Sequence, residues 1–150
     1  MFQALIDRFK TTKEQPKDGA NPLHAAAAAL LVEAACLDGT FDDTERTAMG
    51  AALSAHFELS ADDAAALIEE GVVLQQDANQ LYGFTKIIKD ALEPEERVAI
   101  IEMLWDVAYA DGVLHDYEAG LVRRVTGLLF VSDREAGDAR KRVLTRRGLT

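Results

Sequence analysis

The chain has 150 residues, 49% of them hydrophobic but only 7% aromatic, and a formal net charge of −10. That length suits one domain with a real core, and abundant Ala and Leu without a β-branched segment favour helices over strands. The negative charge argues against nucleic-acid binding, which needs clustered Lys and Arg to neutralise phosphates.

The charge is unevenly spread. Residues 1–17 hold four basic and two acidic side chains, and residues 134–150 hold six and two. The stretch between them therefore carries −16, which suits an acidic body that attracts cations or folds its basic ends back on itself. Cys36 is the only cysteine, so neither an intramolecular disulfide nor a thiolate zinc cluster is expected. It reads as a small apolar group in a helix. Asp7, Arg8 and Lys10 interrupt any secretory apolar region, and no run approaches the ~20 apolar residues that span a bilayer. A soluble cytoplasmic protein is the expectation.

In chain order, Phe2, Leu5, Ile6 and Phe9 fall at helical spacing. They predict a short amphipathic helix that packs on the domain's own core rather than on a membrane. Residues 11–20, with Pro16 and Gly19, read as a linker. Residues 1–20 thus form an N-terminal helix and linker, and residues 21–150 an all-helical domain.

Asn21-Pro22 opens that domain, Asn as a cap and Pro in the first turn. The helix is predicted to reach about Leu37, with the alanines at 25–29 letting a neighbour approach closely, and Gly39 stops it. A second helix starts at Asp42 or Asp43 and reaches about Phe57, with Met49 and Leu53 inward. Ser60 caps a third, with Asp63 at the capping-box position, and this helix ends near Gly71 or shortly after. A fourth covers about residues 77–92, with Leu81, Phe84, Ile87, Ile88 and Leu92 as one apolar face. Pro94 begins a fifth, with Glu95 and Glu96 at its positive end. Val98, Ile101, Leu104, Trp105 and Ala108 are its predicted buried face, and Gly112 stops it. A sixth runs from about Asp116 to Phe130, with Leu121, Val125, Leu128 and Leu129 inward. Ser132 with Glu135 opens a seventh, and the Ser60 cap lies at nearly the same place in the first half. This last helix carries Arg140, Lys141, Arg142, Arg146 and Arg147, a solvated face that also screens the acidic middle.

Two stretches organise the chain. One runs from Glu33 through Asp38-Gly39 to Glu45, the other from Asp106 through Asp111-Gly112 to Glu118. Both read D-G-x-apolar-x-D-x-E and lie 73 residues apart. Glu33 recurs as Asp106, Asp38 as Asp111, Asp43 as Asp116 and Glu45 as Glu118, while Asp42 meets His115. Such a repeat predicts two helical hairpins related by an approximate twofold axis, whose bends meet at one end of the bundle.

Carboxylates, carbonyls and water are the ligands of hard cations such as magnesium, manganese and calcium. A glycine after the first Asp lets the backbone turn sharply, and the next acids fall at the start of the following helix. Asp38, Glu45, Asp111 and Glu118 are therefore metal-ligand candidates, with Asp42, Asp43, His115 and Asp116 as weaker ones. Four carboxylates held together repel one another, and a divalent cation relieves this. The spacing is not that of an EF-hand, and E-x-x-H, the mark of a di-iron bundle, is absent from the sequence.

Helix capping is the competing account. Gly39 and Gly112 serve as C-caps, Asp42 with Glu45 and His115 with Glu118 as N-cap pairs, and Asp43 and Asp116 as first-turn acids. Capping explains less well why Asp38 and Asp111 precede their glycines, because an acid at a helix C-terminus faces the unfavourable end of the dipole. Glu33 and Asp106 read as solvated or as partners in interhelix hydrogen bonds, Trp105 and Tyr109 as core or rim aromatics, His56 as a helix-end residue and His115 as a loop histidine.

At these bends the sequence resembles the tellurite-resistance TerB-like family. The shared residues are A-C-L-D-G before F-x-x-x-E in the first half and V-A-Y-A-D-G-V-L-x-x-x-E in the second, and the resemblance spans about residues 23–147. It implies an all-α compact bundle of about seven to eight helices with an internal pseudo-twofold repeat. It also implies cytoplasmic bacterial proteins tied to tellurite and other stress responses, with a metal ion at the D-G acids. By position these are Asp38, Glu45, Asp111 and Glu118; Cys36-Leu37 departs from the small residues usual in the first copy.

Three functions follow from this reading. The first is a non-enzymatic metal-binding or metal-sensing interaction module, with calcium, magnesium, manganese or zinc as the ion. The second is a metal-free scaffold for a protein partner, and the third a metal-dependent hydrolase. The last lacks a general base, a phosphate-cradling loop or an oxyanion donor in the sequence.

Overall fold

The computed structural model describes residues 21–38, 41–76 and 81–149. The N-terminal amphipathic stretch, its linker, Gly39 and the helix start at Asp77 lie outside the described residues, as does the side chain of Asp38. Among the described residues the chain forms seven α-helices and no strand. They are α1 (Pro22–Ala35), α2 (Asp43–Phe57), α3 (Ala61–Gln75), α4 (Leu81–Ala91), α5 (Pro94–Ala108), α6 (Asp116–Leu128) and α7 (Asp133–Arg146). The all-α fold matches the expectation.

Helix α1 has no polar face. From Leu23 to Ala35 every residue is buried except the half-buried Glu33. A helix that is apolar all round belongs in the middle of a bundle, and α1 packs against α2, α3, α4, α5 and α6. Its first turn is closed by the Leu23 N–H donating to Asn21 Oδ1 at 2.8 Å. Its end is tighter than predicted: the α-helix stops at Ala35 and a 3₁₀ turn covers Cys36–Asp38, with Cys36 and Leu37 half-buried against the core.

The alanine run does admit a close neighbour. A Cβ at Gly71 would come within 2.9 Å of the Ala28 carbonyl carbon, so α3 crosses α1 backbone to backbone. Gly71 is therefore a contact glycine, and α3 ends shortly after it, at Gln75, as expected. Two other expectations need correction. Ile87 is 40% exposed, so the buried face of α4 is Phe84, Thr85 and Ile88. Helix α5 ends at Ala108, and a turn carries the chain to Gly112.

The two halves repeat in their packing as well as their letters. The helix before each bend packs extensively on the second helix after it, α1 on α3 and α5 on α7. Helix α2 ends at Glu58 in the left-handed region (φ 55°), where the Leu59 N–H donates to the Ser54 carbonyl at 3.2 Å. Helix α6 ends the same way, at Phe130 (φ 57°), with the Val131 N–H donating to the Thr126 carbonyl at 3.0 Å. This reversal ends α6 at Leu128, two residues before the predicted limit. The capping serines Ser60 and Ser132 then follow at matching places, accepting from the Asp63 and Glu135 N–H groups.

The acidic bends and the groove beside them

Capping chemistry holds the start of the helix after each bend. The Asp42 N–H donates to Glu45 Oε1 at 3.1 Å, and the Glu45 N–H donates to Asp42 Oδ1 at 2.8 Å. In the second copy the His115 N–H donates to Glu118 Oε1 at 3.2 Å. Glu45 and Glu118 are both buried, at 6% and 3% exposure, so these two metal candidates each commit one carboxylate oxygen to a backbone donor. Asp42, Asp43 and Asp116 are exposed.

Asp111 has a role that a dipole argument misses. The Val113 N–H donates to Asp111 Oδ1 at 3.0 Å, folding the carboxylate over Gly112, whose φ is +85°. This is a side-chain turn of the kind Asp forms readily. It explains why the acid precedes the glycine: its oxygen closes the turn that the glycine opens. The other oxygen, Oδ2, lies 3.6 Å from His115 Nε2, and the His115 ring stacks on Tyr117 at 5.3 Å.

Glu33 and Asp106 stand apart from the bends, and each ties its helix to the third helix of its own half. Gln75 Nε2 donates to Glu33 Oε1 at 2.9 Å, joining α3 to α1. Arg147 Nε donates to Asp106 Oδ1 at 3.3 Å, joining the end of α7 to α5. These are equivalent positions of the repeat, neutral-to-acid in one half and cation-to-acid in the other.

The second half elaborates this bridge. Arg146 donates to Asp106 Oδ2 at 2.8 Å and to Glu102 Oε2 at 2.9 Å, and Arg142 donates to Glu102 Oε1 at 2.8 Å. Burial alone would raise the Glu102 carboxyl, but the hydrogen bonds from Arg146 and Arg142 hold it below its ordinary value. The basic tail thus folds onto the acidic body. The arginines stand out in the sequence, but their partners do not. A signal was present, because Glu102 and Asp106 repeat at four residues, as do Arg142 and Arg146.

These groups border a groove. One part, about 450 Å³, lies between the alanines of α2, His56, Glu102, Asp106, Arg146 and Arg147. An adjoining part, about 520 Å³, is lined by Asp43, Thr44, Thr47, Ala110 and again Arg147. Asp43 begins the helix after the first bend and Ala110 immediately precedes Asp111, so these two points of the repeat border one cavity. Burial lowers the basicity of His56, and lowers that of His24 to about 4, where the ring stacks on Phe57 at 4.1 Å. Among the described residues no three His, Cys, Asp or Glu side chains gather to hold a metal.

Compared with known proteins, residues 24–141 match a family model described as "Tellurite resistance protein TerB". No curated protein and no solved structure shows a significant match.

Proposed function

Because the chain belongs to the tellurite resistance TerB family, we propose that it acts in the response to tellurite or related stress as a non-enzymatic module that binds or senses a divalent cation. The second bend carries the reading. There Asp111 Oδ2 and His115 Nε2 lie 3.6 Å apart at a half-exposed site just past the C-terminus of α5. The last carbonyls of a helix carry partial negative charge, so they favour a cation and disfavour a bare carboxylate. An oxygen–imidazole pair suits manganese or zinc better than calcium. Asp111 and His115 would hold the ion, which would supply positive charge between them. These two donors leave the remaining positions of the shell to water or to further acids of the bends.

The test is thermal. Saturating manganese, zinc, magnesium or calcium, tried singly, should raise Tm by roughly 5–10 °C, as expected for a native-state ligand well above its Kd. Asp111→Asn should abolish the rise. No shift with any of the four ions rejects the reading. Val113 and Tyr117, 55% and 43% exposed on the same bend, favour a second reading, a metal-free scaffold for a protein partner. Partner capture unchanged by a chelator would select that one.

A further inference from the structure

Phe130 is the most exposed of the large apolar side chains described, at 73%, and Tyr82 is 62% exposed. Backbone geometry does not ask for an aromatic at position 130, because Glu58 takes the same left-handed turn in the first half (φ 55° against 57°). Yet the ring is held in a defined setting. Lys89 Nζ lies 4.7 Å from its centroid. Arg97 donates to the Leu92 carbonyl at 3.1 Å and to the Leu129 carbonyl at 3.2 Å, which ties the end of α4 to the end of α6. Tyr82, Lys86 and Lys89 lie at i, i+4 and i+7 on α4, so one helix face runs from the Tyr82 ring over two lysine stems to the Phe130 ring. Each cation here already has a partner: Asp90 for Lys86, the Phe130 ring for Lys89, two carbonyls for Arg97. The surface therefore suits an apolar occupant rather than an anion.

The chain itself supplies one at the same end of the bundle. Asp43 shares a cavity with Ala110, and His56 shares one with Glu102, so α2 runs antiparallel to α5. His24 stacks on Phe57, so the start of α1 lies at the end of α2, and hence near the start of α5, where Arg97 stands. Residues 1–20 join α1 there. The acidic bends lie the length of α1 away, about 21 Å for its 14 residues. At flexible-chain dimensions the eleven residues 10–20 span roughly 17–20 Å. That favours the near end and its Phe130 surface over the exposed Val113 and Tyr117 at the bends. Phe2, Leu5, Ile6 and Phe9 repeat at helical spacing over seven residues, the same separation as Tyr82 and Lys89. We infer that these four side chains dock across Tyr82, Lys89 and Phe130, so that the N-terminal segment covers the exposed edge where α4 meets the end of α6.

Gly127, three residues before Phe130, offers a place for a label, because a Cβ there meets nothing within 4 Å. A nitroxide is attached to the thiol of Gly127→Cys, in a Cys36→Ser background, on the full-length ¹⁵N-labelled protein. Amide signals of residues 2–9 should broaden more than those of residues 11–17, and Phe130→Asn should remove most of that broadening. Asparagine tolerates the left-handed backbone, so this variant keeps the turn and loses only the ring. Mixing spin-labelled ¹⁴N protein with unlabelled ¹⁵N protein should leave residues 2–9 sharp. The inference is overturned by any one of four results: no broadening at residues 2–9, broadening that fades steadily from Asn21 towards Met1, unchanged broadening in Phe130→Asn, or broadening in the mixed sample, which makes a second copy the occupant. None of them bears on the cation reading, which Asp111→Asn tests alone.

Discussion

Gly71 and Gly127 both sit inside helices, yet they answer to opposite forces. Alanine in place of an interior helical glycine ordinarily adds about 1 kcal/mol of stability, because it restricts the unfolded chain and favours the helix. At Gly127 a Cβ meets nothing within 4 Å, so Gly127→Ala should stabilise by about 0.5–1 kcal/mol. At Gly71 the same Cβ would lie 2.9 Å from the Ala28 backbone carbon, and backbone cannot swing aside. Overpacking wins there, and Gly71→Ala should destabilise by about 1–3 kcal/mol. Urea unfolding of the two variants checks both signs. Asp111 teaches the same lesson in another form. Counted as a point charge it looks misplaced at a helix end; treated as a hydrogen-bond acceptor for the Val113 N–H it belongs there.

At the level of elements, α7 is held by its arginines. Glu102 and Asp106 are each about 12% exposed, and Arg146 bonds to both. Arg146→Gln leaves two mostly buried carboxylates short of a partner, while Arg142→Gln removes one bond at a half-exposed arginine. The first should cost about 1–3 kcal/mol and the second less than about 1 kcal/mol, measured as the difference in unfolding free energy at neutral pH. The caps were legible in the sequence because capping is local: Asp42 with Glu45 and Ser132 with Glu135 are three residues apart, and the chemistry needs nothing else. The glycine at 71 was not, since its contact lies on another helix. The partners of Arg146, about forty residues away in the chain, were signalled only by a matching four-residue spacing. The candidate bends were found by their repetition, whereas the groove beside them depends on how α2, α5 and α7 assemble.

For the whole molecule, these buried groups set the response to acid. The His24 ring is protonated in the folded state only near pH 4, against an ordinary value of 6.5. As pH falls below 6.5 the unfolded chain takes up the proton first, so folding stability declines between about 6.5 and 4 and levels off below. The total is at most about 3 kcal/mol. His24→Leu should flatten that decline in unfolding free energy measured across this range. Glu102 acts lower: its depressed carboxyl stabilises the fold above the ordinary carboxylate value, and this is lost as pH drops through the folded one. Both groups weaken the protein in acid, the histidine before the carboxylate.

The bridge between first and third helix was kept in both halves but built of different material. Glutamine meets glutamate in one, arginine meets aspartate in the other. Dissolved salt screens the latter and leaves the former nearly untouched. Of two bridges drawn to one plan, the arginine–aspartate one is therefore the more sensitive to brine, and only modestly so because Asp106 is largely buried.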